Sequence, residues 1–131
     1  MHPTFLGLDE VLEIHRDQIE RYEGFPGIRD FGLLQSALAM PAATFGGRFL
    51  HNSLFEMAAA YLFHIVQNHP FIDGNKRTGG VAALMFLAMN GVEVTTDEAS
   101  LETIVRMVAS GKADKEAAAE FFRQHSFVRP L

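Results

Sequence analysis

The chain has 131 residues, 48% hydrophobic and 21% charged, with no cysteine and a net charge of −5. Its length suits one domain that buries about two-thirds of the surface its unfolded form exposes, and its composition excludes a disordered chain, a disulfide framework and thiolate metal sites. The acidic balance and scattered arginines argue against a nucleic-acid surface, and the longest apolar run, Val81 to Met89, is too short to cross a bilayer. Met1 to Glu10 lacks a basic start followed by an apolar stretch. The expectation is a single domain over residues 1–131 in the reducing cytoplasm, with no direct nucleic-acid binding and no membrane.

In chain order, Asp9 to Tyr22 mixes Val11, Leu12, Ile14 and Ile19 with charges, as a half-buried helix does, and it stops before Gly24. Gly24-Phe-Pro-Gly27 combines one fixed-φ residue with two permissive ones, a turn or short extended flap before Asp30 caps the next helix. That helix starts at Phe31 and ends by Pro41. Ala42 to Asn52 is a glycine-containing connection. Ser53-Leu-Phe-Glu56 then has capping-box spacing, and Leu54 to Val66 is apolar on nearly every face, as is Val81 to Met89. These two helices are expected to form the centre, with the polar stretch Asn68 to Thr78 as the loop between them and Asn90-Gly91 closing the second. Val92-Glu-Val94 is a short extended piece. Thr95-Thr-Asp-Glu98 offers another capping box before a helix ending near Gly111, a last helix covers Lys115 to His125, and the tail Ser126 to Leu131 is expected to be loosely held. The architecture is all-α, a compact bundle of about six helices with a short flap.

The chemistry concentrates at His69-Pro-Phe-Ile-Asp-Gly-Asn-Lys-Arg77. A helix N-terminus presents free N–H groups and partial positive charge, so Lys76 and Arg77 oppose the dipole there unless an anion is present, and Gly74 and Asn75 just before them suit a phosphate. Lys76 is the only lysine before Lys112. Two plainer readings stay open: both cations are solvated surface charges, or Arg77 pairs with Asp73. Histidine is the residue type whose charge changes near neutrality, so His69, a few residues from this loop, is a candidate general base, whereas His64, inside an apolar helix, is read as structural. Asp73 is a candidate Mg²⁺ ligand or a helix cap, since a triphosphate site requires a metal that bridges phosphate oxygens. Phe71 and Ile72 read as anchors that press the loop onto the core. Gly79-Gly80 inside a helix costs about 1 kcal/mol per residue relative to alanine, which points to close packing rather than propensity. The sequence has no GxxxxGKS/T, no GxGxxG after a strand, no HRD or DFG pair and no HExxH.

His69 to Thr78 resembles the signature of the Fic superfamily in its death-on-curing (Doc-type) branch, the toxins of toxin–antitoxin modules. Arg21-Tyr-Glu-Gly-Phe-Pro-Gly-Ile-Arg-Asp30 and Leu33 to Pro41 resemble the family's flap and second helix. AMP-transferring Fic enzymes carry a second glycine after the asparagine and an arginine three residues beyond the motif's first arginine. Here Lys76 and Gly80 stand at those positions.

The resemblance therefore implies a kinase that moves the γ-phosphoryl group of ATP to a hydroxyl of a target protein, with elongation factor Tu the expected target, and so inhibits translation. It implies His69 as the base, Asp73 organising Mg²⁺ or phosphates, and Gly74, Asn75 and Lys76 as the anion loop. Arg77 would clamp phosphate oxygens, and Phe25, Pro26, Gly27 and Ile28 would form the target-binding flap. No S/TxxxEG/N inhibitory helix is present, so restraint is expected from a separate antitoxin with a disordered inhibitory tail. Three other readings remain: an AMP transferase, which Lys76 and Gly80 disfavour; a ribonuclease toxin using His69, Lys76 and Arg77; and a silent binding module, against which the intact His69, Asp73 and Arg77 argue.

Overall fold

A computed structural model describes residues 2–130. Among these residues the elements run α1 (Leu8–Arg21), α2 (Phe31–Ala39), β1 (Thr44–Phe45), β2 (Arg48–Phe49), α3 (Leu54–Asn68), α4 (Asn75–Met89), β3 (Val92–Val94), α5 (Glu98–Ala109), α6 (Lys115–Gln124) and β4 (Ser126–Val128). Local signals set most boundaries. Asp30 Oδ1 accepts from the Leu33 N–H at 2.9 Å, Ser53 Oγ accepts from the Glu56 N–H at 3.2 Å, and Gly91 follows the Asn90 cap with φ 82°.

The centre is the α3–α4 pair, as the apolar runs predict. Met57, Ala58, Ala59, Tyr61, Leu62 and Ile65 on α3 and Ala82, Ala83, Phe86 and Leu87 on α4 are all fully buried. Truncating Leu62 to alanine in such a core costs about 2–5 kcal/mol. Gly79 is what lets the two helices approach: a Cβ there would lie 3.2 Å from Val66 Cγ2 and 3.3 Å from the Leu62 carbonyl oxygen. Gly80 instead faces Val105 of α5.

Four expectations need correction. The connection 42–52 holds a hairpin, with Thr44 opposite Phe49 and Phe45 opposite Arg48, because Gly46 and Gly47 both adopt the positive φ of a two-residue turn. Ser126–Val128 is not loose but pairs antiparallel with Val92–Val94, so the backbone groups of each short segment find acceptors in the other. The loop between α3 and α4 is shorter than Asn68 to Thr78, since α3 runs through Asn68 and α4 starts at Asn75. Thr95 does not cap α5: its N–H and hydroxyl both donate to the His125 carbonyl, and Asp97 occupies the cap position.

His64 is structural but is not an apolar-core residue. Lys115, the first residue of α6, opposes that helix's dipole, and its ammonium is met by the Nε2 atoms of His51 and His64 at 3.3 and 3.1 Å. Burial first, then Lys115 and His51, push His64 down to about 4. Burial and Lys115 also lower His51 against a smaller opposing effect of Glu56. Because the folded-state value lies below the unfolded value near 6.5, the unfolded chain takes protons first as pH falls. The cluster's contribution is therefore present above pH 6.5 and lost as pH falls toward about 4. Urea midpoints measured at pH 7.5 and 4.5 should show a clear loss in the wild type and a smaller loss in His64→Gln. Equal losses in both proteins would assign the acid sensitivity to other groups.

Candidate functional site

The segment between α3 and α4 is held by backbone and buried side-chain contacts on every side. His69 ends α3 in the left-handed conformation, φ 49° and ψ 53°, a place usually taken by glycine or asparagine. A non-glycine residue there costs on the order of 1 kcal/mol, and such strain persists only where neighbours over-determine it. The neighbour here is Arg29, whose Nε donates to the His69 carbonyl at 2.6 Å and whose Nη2 donates to the Asn68 carbonyl at 3.0 Å. A cation at a helix C-terminus also satisfies the dipole.

Phe71 is fully buried, as expected of an anchor, but Ile72 is 54% exposed and packs under the flap instead. Its N–H donates to the Gly27 carbonyl at 3.0 Å, and a Cβ on Gly27, at φ 120°, would lie 2.8 Å from Ile72 Cδ1. Ile28 forms an isolated antiparallel bridge to Phe71, and the N–H groups of Arg29 and Asp30 donate to the Pro70 carbonyl. The flap Phe25-Pro26-Gly27-Ile28 is thus tied along the loop by one isolated bridge rather than a strand, and its Phe25 is 74% exposed.

Asp73 straps the two together. Its Oδ2 accepts from the Phe25 N–H at 3.1 Å and its Oδ1 from the Gly74 N–H at 2.8 Å; these bonds, in that order, hold its carboxyl below the usual carboxylate range. It is not the helix cap, because Gly74, at φ 79°, occupies that position. Gly24 leaves room for the strap: a Cβ there would lie 2.8 Å from Asp73 Oδ2.

The side chain of Asn75 is taken up by the loop itself. It is buried, with Oδ1 accepting from the Phe71 N–H at 3.0 Å and Nδ2 donating to the Phe71 carbonyl at 3.0 Å. Those two bonds fix the amide's orientation, so the remaining Nδ2–H donates to His69 Nδ1 at 3.1 Å. Only the backbone N–H of Asn75 is left for an anion. While the bond to Nδ1 is made, neutral His69 carries its proton on Nε2. Action as a base, at either nitrogen, therefore requires that contact to be released.

The N–H groups of Asn75, Lys76 and Arg77 precede the first helical bond of α4, from Thr78 N–H to the Gly74 carbonyl at 2.9 Å. They line a cleft of about 780 Å³ together with His69, Asp73 and Gly74. The lining also includes an apolar set, Val66, Val81, Leu101, Val105 and Ala109 with Gly80, bordered by the charged Glu98, Glu102 and Arg106 of α5. The two plain readings of the cations can now be compared with Lys115, whose similar misplacement is met by two imidazoles. Among the described residues Lys76 is exposed and makes no hydrogen bond or ion pair, and Arg77 pairs with no carboxylate. The Arg77 guanidinium instead lies over the Tyr22 ring, 4.0 Å from its centroid. Both cations line the cleft without a direct ion pair, although the Asp73 carboxylate is close enough for Arg77 to help hold it ionised.

One face of α1 serves this site, and sequence periodicity did not single it out. His15, Gln18, Ile19 and Tyr22 lie at i, i+3, i+4 and i+7, the spacing of one helix face. His15 Nε2 lies 2.9 Å from the Asp73 carbonyl oxygen and its ring stacks on Phe71, Gln18 lines the cleft, and Ile19 Cδ1 sits 3.1 Å from where a Gly74 Cβ would be. Nothing in a single sequence distinguishes this stripe from an ordinary core face.

A helical domain with a strapped flap, an exposed histidine and an open helix N-terminus over an amphipathic cleft is the class of protein that fold and loop define. Residues 5–87 match the model of the Fic/DOC family. The chain is 39% identical over 94 residues to the "Toxin Doc" of Mycolicibacterium smegmatis, covering 70% of this chain and 72% of that protein. It is 33% identical over 116 residues to the "Protein kinase doc" of Escherichia phage P1, covering 88% and 90%. The chain belongs to the Fic/DOC family. No helix among the described residues is long and apolar enough to cross a membrane.

Proposed function

We propose that this chain is a Doc-type toxin that transfers the γ-phosphoryl group of ATP to a hydroxyl of a target protein, with elongation factor Tu as the target. The observation that carries this reading is the pair of cations, Lys76 and Arg77, at an open helix N-terminus beside His69 in one cleft. The name of the phage P1 relative, a protein kinase, supports it. The cleft suits an amphipathic ligand: N–H groups and cations at one end would take phosphates, and the wall of Val66, Val81, Leu101, Val105 and Ala109 would cover a base.

Mg²⁺ fits this donor set. Asp73 stays ionised through its two backbone bonds, each oxygen retains a second lone pair, and Mg²⁺ commonly takes one or two carboxylates and completes its shell with phosphate and water. When bound, the ion would neutralise phosphate charge. The chain's own groups do the rest. The N–H groups of Asn75, Lys76 and Arg77 fix the phosphate chain, Arg77 clamps phosphate oxygens with its planar fork, and Lys76 adds a point charge. His69, released from Asn75, takes the proton of the acceptor hydroxyl as its oxygen bonds to the γ-phosphorus and the bond to the β,γ-bridging oxygen breaks, leaving ADP. Phosphoryl transfer rests mainly on such positioning and charge stabilisation. The exposed edge Phe25 to Ile28 would hold the target segment by strand addition.

A separate antitoxin whose disordered tail folds onto the toxin is the expected restraint. Expression of this chain alone in a bacterium should arrest growth, and co-expression of an adjacent small partner should restore it. Normal growth with folded protein accumulating would remove the toxin assignment.

A further inference from the structure

His15 is buried at 6% exposure, on a helix outside the motif, yet it touches the motif loop at two points. Its ring stacks on Phe71 with centroids 3.7 Å apart and planes 8° from parallel. Its Nε2 lies 2.9 Å from the Asp73 carbonyl oxygen, and since a carbonyl only accepts, Nε2 carries the proton and donates. Each contact leads to a different part of the site.

The carbonyl contact sets one peptide plane. In a trans peptide the C=O and N–H point opposite ways, so drawing the Asp73 carbonyl toward α1 turns the Gly74 N–H outward, where it meets Asp73 Oδ1 at 2.8 Å. Gly74 then adopts φ 79° and starts α4 with its first N–H groups toward the cleft. The stacking contact sets the other part. Phe71 holds Asn75 through two backbone bonds, and Asn75 holds His69 Nδ1. Base and phosphate loop are thus referred to one side chain.

We propose that His15 is a positioning residue for the phosphate-transfer site: its hydrogen bond to the Asp73 carbonyl and its stack on Phe71 fix the turn at Gly74 that aims the α4 N-terminus at the nucleotide. The nucleotide in this statement rests on the function proposed above. The hydrogen bond and the stack can be removed separately. His15→Phe keeps an aromatic ring on Phe71 and loses the donor, whereas His15→Gln keeps a donor nitrogen and loses the ring.

Each variant is compared with wild type by thermal unfolding, by KM for ATP and kcat, and by the amide resonances of Gly74, Asn75 and Lys76 without nucleotide. For His15→Phe, those three amides should shift and KM for ATP should rise about 3- to 10-fold, the range for one lost hydrogen bond. His15→Gln should restore KM toward wild type. Wild-type KM and unmoved amides in His15→Phe would overturn the proposal. Equal loss in both variants with matching drops in Tm, or failure of both to fold, would also overturn it, because the role would then be packing alone. If wild-type protein fails to bind ATP, the proposed function falls, while the nucleotide-free amide resonances still decide whether His15 sets the turn.

Discussion

Replacing His69 with alanine should remove transfer to the protein acceptor while leaving ATP binding close to wild type. General-base catalysis contributes about 100- to 10,000-fold, and the loss should appear in kcat, because in the proposed reaction His69 acts on the acceptor's proton rather than holding phosphate. The structure adds a reason to expect little damage elsewhere. The His69 side chain is exposed, and among the described residues its only side-chain hydrogen bond is the one from Asn75, whose other bonds go to Phe71. The left-handed backbone at this position is strained for histidine and alanine alike, so Tm should change little. Turnover measured with ATP and the protein acceptor, alongside ATP affinity, separates the cases. Wild-type turnover in His69→Ala would make His69 a structural cap and nothing more.

Lys76→Gly should also abolish most phosphorylation. One preorganised donor at a developing anion is worth about 100- to 1,000-fold where water is excluded. Lys76 is exposed, so the lower end of that range applies. A long cationic side chain fills the space a glycine would leave, and it binds phosphate there as a point charge. In the proposed reaction this would turn the γ-phosphate rather than the α-phosphate toward the acceptor, and in-line geometry makes that orientation decide the product. The variant should not gain AMP transfer, since Gly80 supplies no second arginine and a Cβ there already meets Val105 Cγ2 at 3.4 Å. Intact mass of the acceptor protein reads both outcomes. Undiminished phosphate addition by Lys76→Gly would show that the backbone N–H groups and Arg77 suffice.

What the sequence disclosed was local. Asp30, Ser53 and Asn90-Gly91 act within a few residues of the helix ends they mark, so their chemistry is written in order along the chain. The same holds for the α3–α4 centre, whose apolar runs have no polar face to turn outward. The pair Gly46-Gly47 was also a local signal, and it marks a hairpin that the broader reading of a loop passed over. What stayed hidden depends on distant partners. Ser126–Val128 becomes a strand only because Val92–Val94 lies beside it. Thr95 answers to His125 rather than to Glu98.

The candidate site divides in the same way. His69, Asp73 and Arg77 of the motif line one cleft, being close in sequence. The motif did not disclose that the Asn75 side chain is buried and bonded to Phe71 and His69, since those contacts form only once the loop is folded. Arg29 and His15 act on the motif from 40 and 58 residues away, through carbonyls that a residue pattern does not record.

The central claim, transfer of the terminal phosphoryl group to a protein hydroxyl, is tested most directly by incubating this protein with elongation factor Tu, Mg²⁺ and ATP labelled separately at the α and γ positions. The account predicts γ label on elongation factor Tu, a mass increase of one phosphate, and no α label. Transfer of α label, with the mass of AMP, would contradict the orientation assigned to Lys76 and place this chain with the AMP-transferring members of its family.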